Sequence, residues 1–151
     1  MTSGQNTLQN ADIRFVPVVL DALLVQLLGN GLSGQICLFH ELFLGTLGRP
    51  LEWRIVAIEL IRRYGVENVY FFENKVEIDF YIPSENLAIQ VSMQVLDDID
   101  TKERETRAFA KLNAYIPDTK CILITNSEEA NLDYDGIQIE VVPIWKWLLD
   151  R

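Results

Sequence analysis

Two neighbouring runs of alternating apolar and polar residues, between Lys75 and Ser92, constrain the fold of this chain most. In the first run, apolar and polar residues take opposite faces: Val76, Ile78, Phe80 and Ile82 against Glu77, Asp79 and Tyr81. In the second, the two faces carry Leu87, Ile89, Val91 and Met93 against Ala88, Gln90, Ser92 and Gln94. A period of two predicts half-buried strands. The polar segment Pro83 to Asn86 predicts a tight turn, so the runs are expected to be adjacent strands of one sheet.

The clearest helix signal precedes these strands, over Leu51 to Tyr64. Its apolar residues recur at helical spacing and form one stripe: Trp53, Val56, Ala57, Leu60, Ile61 and Tyr64. Gly65 supplies a stop, and Arg62 and Arg63 suit the negative end of the helix dipole.

The remaining segments predict an α/β domain with a mixed central sheet. Expected in order are a strand over Val69–Glu73, a helix from an Asp100 cap to Tyr115, a buried strand over Cys121–Thr125, an acidic loop over Asn126–Gly136, a strand over Ile137–Val142 and a helix from Pro143. The order is αβββαβ, followed by a further strand and helix. A strand, a helix and a buried strand in succession predict a right-handed crossover.

The region before this core is predicted to hold a tail and helices. Residues 1–12 are expected to be a flexible tail, and 13–151 a single domain. Within it, 13–48 is predicted as a helical N-terminal extension, with helices over Val19–Leu28 and Gln35–Leu44, and 49–151 as the core.

Composition excludes several classes of protein. No apolar run approaches the ~20 residues of a membrane span, and the first residues carry no basic start of a signal peptide, so a cytoplasmic protein is expected. The formal net charge is −9 and the sequence pI is about 4.5. Proteins that bind nucleic acid over their whole surface usually leave a basic footprint, so the net charge does not favour DNA as a partner.

Three other candidate sites have ordinary structural explanations. The glycines from Gly29 to Gly34 follow a predicted helix rather than a strand, so they fit a helix stop better than a dinucleotide site. His40 is the single histidine, which is too few for a zinc site. Cys37 and Cys121 lie in apolar surroundings and are expected to be buried, reduced thiols. No bound organic cofactor is predicted.

The predicted strand pair therefore carries the main candidate site. An acid on one strand, and an acid or amide on the next with a lysine two residues later, hold Mg²⁺ and position water in metal-dependent phosphodiesterases. Asp79 takes the first position, Gln90 the second, and Ser92 stands where the lysine would be. Gln90 offers a neutral oxygen, and Ser92 supplies no positive charge.

Neighbouring residues could complete such a site. Glu77 lies on the same predicted strand face as Asp79, and Glu52 or Glu59 on the preceding helix could add a metal ligand. Lys75 is near enough in sequence to replace the missing lysine. The candidate metal ligands are Asp79, Gln90 and Glu52, and the expected cofactor is either none or Mg²⁺ or Mn²⁺.

These motifs, in this order, resemble the PD-(D/E)xK nuclease-like superfamily. The likeness is closer to the C-terminal domain, of unknown function, of bacterial and archaeal AAA-type ATPases. It rests on Gly48 and Glu52, Glu59-Leu60, the EIDF strand from Glu77, the IQV strand from Ile89, the set Asp98, Thr101, Arg104 and Glu105, an ILIT strand and Val142–Trp145. It spans roughly Arg14 to Leu149 and implies a restriction-endonuclease-like αβββαβ core. An ATPase module is absent from this sequence, so the resemblance implies no ATP hydrolysis here.

Three interpretations remain open. The first is a degenerate, non-catalytic nuclease-fold domain that acts as an interaction or regulatory module, with a protein partner or a homo-oligomer. The second is a Mg²⁺-dependent deoxyribonuclease, either endonuclease or exonuclease, with a substituted site at Asp79, Gln90 and Ser92. The third is a structural or binding α/β domain without a metal site.

Overall fold

The computed structural model of the protein describes residues 14–17, 50–73 and 77–150. The predicted tail, the predicted helices over 19–28 and 35–44, Cys37, His40 and Lys75 lie outside this part of the chain.

Within these residues, the elements follow the predicted order closely. They are β1 (Arg14–Pro17), α1 (Leu51–Tyr64), β2 (Tyr70–Glu73), β3 (Ile78–Ile82), β4 (Leu87–Val91), α2 (Ile99–Tyr115), β5 (Lys120–Thr125), β6 (Ala130–Tyr134), β7 (Ile137–Pro143) and α3 (Ile144–Leu149). Short 3-10 turns cover Val66–Asn68 and Pro83–Glu85. The α/β class is confirmed, and α1 has the predicted bounds.

The strands form one mixed sheet in the order β1-β2-β3-β4-β5-β7-β6. Strands β1 to β4 pair antiparallel, β4, β5 and β7 pair parallel, and β6 returns antiparallel to β7. Helix α2 connects the parallel neighbours β4 and β5, as the predicted crossover requires. Residues 14–17 correct the prediction of a helical extension, because they form a strand that pairs with β2.

Helices cover both faces of the sheet. One core cluster packs α1 and α3 onto one face through Trp53, Leu60, Phe80, Ile89 and Trp147. The other packs α2 onto the opposite face through Tyr81, Ala88, Phe109, Leu112 and Leu123. Layers on both sides explain why the central parallel strands are apolar in both directions.

The prediction that β3 and β4 are half-buried was wrong. Tyr81 and Ala88, on the faces expected to meet solvent, are buried like their neighbours, because α2 covers that side. Ile78 also departs from the pattern, since it packs with Tyr81 rather than with Phe80. Ile78 pairs with Phe72 and Tyr81 pairs with Tyr70, so β3 has one more residue than β2 between these two pairs. Such an extra residue bends a strand and reverses its alternation.

The start of α2 also differs from the prediction. Asp98, not Asp100, is the N-cap, and its carboxylate accepts hydrogen bonds from the backbone N–H groups of Asp100 and Thr101. The Thr101 hydroxyl donates to the same carboxylate at 2.7 Å. Glu103 forms an ion pair with Arg107, one turn further along α2.

A strand occupies part of the predicted acidic loop. Strand β6 pairs with β7 through a two-residue turn, with Tyr134 opposite Ile137. Asp135 and Gly136 both have positive φ, at 52° and 79°. An Asp-Gly pair of this kind is a strong hairpin signal, and the acidic composition of the segment obscured it.

The two C-terminal tryptophans have different environments. Trp147 is buried, whereas Trp145 is 57% exposed. Helix α3 has only one face against the sheet, so alternate residues cannot both be covered. In the described part of the chain, no helix is both long enough and apolar enough to span a membrane.

Candidate functional site

The candidate site lies where the main chains of β3 and β4 stop pairing. Their backbone register runs from Ile82 opposite Leu87 to Phe80 opposite Ile89. Gln90, the next residue of β4, is buried, and its side chain bonds to the backbone of β3. Its Oε1 accepts from the N–H of Asp79 at 2.9 Å, and its Nε2 donates to the carbonyl of Glu77 at 2.9 Å.

Asp79 makes the reciprocal contact. Its Oδ2 accepts from the backbone N–H of Val91, in β4, at 2.9 Å. Its Oδ1 accepts from the indole Nε1–H of Trp53, in α1, also at 2.9 Å. The Trp53 ring packs on Phe80, with the ring centroids 4.5 Å apart. The Asp79 carboxylate thus joins β3 to both β4 and α1.

These side chains border a cleft of about 710 Å³. Trp53, Glu77, Asp79, Gln90 and Val91 form the wall on the strand side. Helix α2 forms the opposite wall, with Asp100, Glu103, Arg104, Glu105, Arg107, Ala108 and Lys111. Glu77 is exposed, and together with Asp79 and Gln90 it brings three of the predicted site residues to this cleft.

The α2 wall contains charges of both signs. The guanidinium of Arg104 donates to the carboxylate of buried Glu105 at 2.8 Å, and this hydrogen bond raises the pKa of Arg104. Arg107 pairs with Glu103. Lys111 is exposed and makes no ion pair within the described part of the chain. The α2 wall is therefore balanced, with three acidic and three basic side chains, while Glu77 and Asp79 on the strand side give the cleft a net negative charge.

The other two predicted site residues open onto a neighbouring cleft. Glu52 and Ser92 line a cavity of about 340 Å³ that shares Pro50 and Val91 with the larger cleft. The Ser92 N–H donates to the carbonyl of Ile124 at 2.9 Å, and its hydroxyl faces the carbonyl of Gln94 at 3.4 Å. The fold thus places Asp79 and Gln90 together at the larger cleft, whereas Glu52 and Ser92 line the smaller one.

The segment after β4 is held by Glu128. Its carboxylate accepts from the backbone N–H groups of Val95 and Leu96, at 2.6 and 3.0 Å. The Thr125 hydroxyl donates to the Glu128 carbonyl and accepts from the Glu128 N–H. These bonds hold the segment between β4 and α2 against the end of β5.

The oxygens that would hold a hard divalent cation at the strand pair are engaged in hydrogen bonds. Mg²⁺ and Mn²⁺ favour several carboxylate or carbonyl oxygens. Both oxygens of Asp79 already accept N–H groups, the Gln90 oxygen is directed at the Asp79 N–H, and Glu52 opens onto the other cleft. Among the residues that the structure describes, no three His, Cys, Asp or Glu side chains group as a metal site.

Sequence reasoning missed the contribution of Arg107 and Lys111. The sequence indicates Arg104 and Glu105 only through the family resemblance. The missed signal is helical spacing, since 104, 107, 108 and 111 fall on one face of α2, away from buried Phe109 and Leu112.

Comparison with known proteins finds one informative relative. Over 121 residues, the chain is 37% identical to an uncharacterized protein of Methanocaldococcus jannaschii, a match that covers 74% of this chain. The match is 27% of that protein, so the chain spans only about a quarter of the length of its relative. No family model and no solved structure matches.

Proposed function

We propose that this domain is a non-catalytic relative of the PD-(D/E)xK nucleases, which acts as an interaction or regulatory module. The proposal rests on the hydrogen bonds that the side chains of Asp79 and Gln90 make within the protein. The groups that would hold a metal in a nuclease of this kind bond instead to Trp53 and to the backbone of the two strands. Ser92, which stands where such a nuclease has its lysine, lines a different cleft.

The order of the elements supports the restriction-endonuclease-like part of the proposal. Helix α1, strands β2 to β4, helix α2 and strand β5 follow one another as αβββαβ. The charged cleft supports the interaction part, because it offers a partner both acidic and basic side chains. A protein partner or a second copy of the chain is proposed. The relative is also a longer protein in which the matching segment is one part.

Incubation with DNA tests the non-catalytic role. Wild-type protein, Asp79→Ala and the control Asp97→Ala, an exposed acid outside both clefts, are incubated with single-stranded, double-stranded and branched DNA in Mg²⁺ or Mn²⁺. We expect DNA cleavage by all three proteins to equal that of a protein-free control, because Ser92 replaces the lysine two residues after Gln90. Cleavage by wild type and Asp97→Ala that Asp79→Ala lacks would refute the proposal.

A Mg²⁺-dependent deoxyribonuclease is the second candidate, and the α2 wall favours it. Lys111 and buried Glu105 face the same cleft as Asp79, so a base and a second acid are close to the strand pair. If the domain cleaves DNA, Lys111→Met should abolish cleavage while Lys120→Met, an exposed lysine elsewhere, keeps it. Loss in both variants, or in neither, would exclude a catalytic role for Lys111.

A further inference from the structure

We infer that Asp79 and Gln90 form a reciprocal side-chain clamp, which continues the pairing of β3 and β4 beyond the last backbone pair and fixes the opening of the cleft. Each side chain bonds to the backbone of the other strand: Gln90 to the Asp79 N–H and Glu77 carbonyl, Asp79 to the Val91 N–H. The inference deepens the proposed function at the same site, and it rests on it for the non-catalytic role of the pair.

The chemistry of position 90 suits an amide and not a carboxylate. The side chain accepts one hydrogen bond through Oε1 and donates one through Nε2. A neutral glutamine does both at once, whereas an ionised glutamate only accepts. Gln90 is 4% exposed, and a buried polar group without a partner is costly. The glutamine is thus matched to its two backbone partners.

The geometry of β3 explains why a clamp is needed. The extra residue in β3 turns Ile78 to the face opposite Phe80, so the strand bends where Asp79 lies. Backbone pairing between β3 and β4 ends beside this bend. The side chains of Asp79 and Gln90 bond across the two strands just beyond the last backbone pair, and both line the cleft.

Trp53 extends the clamp to α1. Its indole N–H reaches the Asp79 oxygen that does not face Val91, and its ring rests on Phe80. A ligand that took Asp79 would compete with the indole and disturb the start of α1. The clamp therefore connects the strand side of the cleft to α1, which packs on the face of the sheet opposite α2.

The variant Gln90→Glu separates the clamp from a metal site. In the clamp, the new carboxylate faces the Glu77 carbonyl, so we expect the melting temperature to fall by about 4–8 °C with or without Mn²⁺. The Asp79 N–H keeps an acceptor in the new carboxylate, so the bond that is lost is the one to the Glu77 carbonyl. A matched control, Gln94→Glu, makes the same charge change on an exposed side chain and should melt like wild type.

A metal site gives the opposite result, because glutamate is the better ligand. A Gln90→Glu variant that melts like wild type without metal, or that Mn²⁺ stabilises more than it stabilises wild type, would overturn the inference. DNA cleavage by the wild-type protein would refute the proposed function yet leave these measurements unchanged, so the two failures are distinguishable.

Trp53→Phe provides a milder second variant. Phenylalanine keeps a six-membered ring against Phe80 and removes the indole N–H together with part of the bicyclic ring, so the fold should persist with a modest loss of packing. We expect faster exchange of the Val91 amide, since the remaining Asp79 oxygen is less firmly placed. Unchanged exchange at Val91, together with a wild-type melting temperature, would remove Trp53 from the clamp.

Discussion

Glu59 is the residue whose ionisation is most clearly coupled to the fold. Its carboxylate accepts from Arg62 and Arg63, with three N–O distances of 2.7 Å. The hydrogen bond from Arg62 is the largest cause that lowers the pKa of Glu59 from 4.5 to about 2. Arg63 also donates to the Trp147 carbonyl and lies 4.6 Å above the Trp147 ring, so these charges join α1 to α3.

This lowered pKa predicts a pH dependence of stability. Since the pKa is lower in the folded protein, the ionised carboxylate stabilises the fold above pH 4.5, and this contribution is lost as the pH falls towards about 2. Because Arg62 is exposed and screened by water, we expect Glu59→Gln to lower the free energy of unfolding by about 1 kcal/mol at pH 7. Denaturant titrations at pH 7 and at pH 2.5 measure the difference.

The control for this prediction is Glu85→Gln, in the exposed turn between β3 and β4. It removes one negative charge from the same chain and should change stability little at either pH. A Glu59→Gln difference that is equally large at both pH values would contradict the electrostatic explanation and point to packing instead.

At the scale of the element, α2 depends on a cap that sequence patterns place two residues too late. Asp98 and Asp100 are both acceptable caps by residue type, and Glu103 fits a capping box with Asp100. The fold selects Asp98, whose carboxylate accepts the Asp100 and Thr101 amides. These bonds, with the Thr101 hydroxyl bond first among them, lower the pKa of Asp98.

Alanine substitutions distinguish the two aspartates. We expect Asp98→Ala to lower the melting temperature by about 2–4 °C, because two N–H groups at the start of α2 lose their acceptor. Asp100→Ala is the matched control and should melt within about 1 °C of wild type. Thermal denaturation followed by circular dichroism measures both, and an equal loss in the two variants would contradict the assignment of the cap.

For the whole molecule, burial predicts where the backbone is most protected. Strands β4, β5 and β7 lie inside the sheet, and helices cover both of its faces. Strand β6 pairs only with β7 in the described structure and alternates between partly buried and exposed residues. Amide exchange should therefore be slowest in β4, β5 and β7, and faster in β6. Exchange as slow at Leu132 as at Leu123 would contradict this order.

The predictability of the fold differs from element to element. The bounds of α1 and the positions of β3, β4 and β5 followed from periodicity and from glycine and proline signals, which are local. Asp135-Gly136 marks the turn before β7, but the acidic composition around it favours a loop, so strand β6 does not follow from composition. Local periodicity does not reveal that the second face of β3 is buried, because the packing of α2 on it depends on contacts between segments distant in sequence.

The sequence by itself determined the α/β class, the order of the elements from α1 to β5 and the placement of Asp79 and Gln90 on neighbouring strands. Alternation and turn chemistry suffice for these features, since both act over a few residues. Only the tertiary structure decided what the two side chains do. The bend in β3, the reach of Trp53 and the separation of Ser92 into another cleft depend on contacts between distant segments. Residue types alone fit a metal site, whereas hydrogen-bond geometry indicates a clamp.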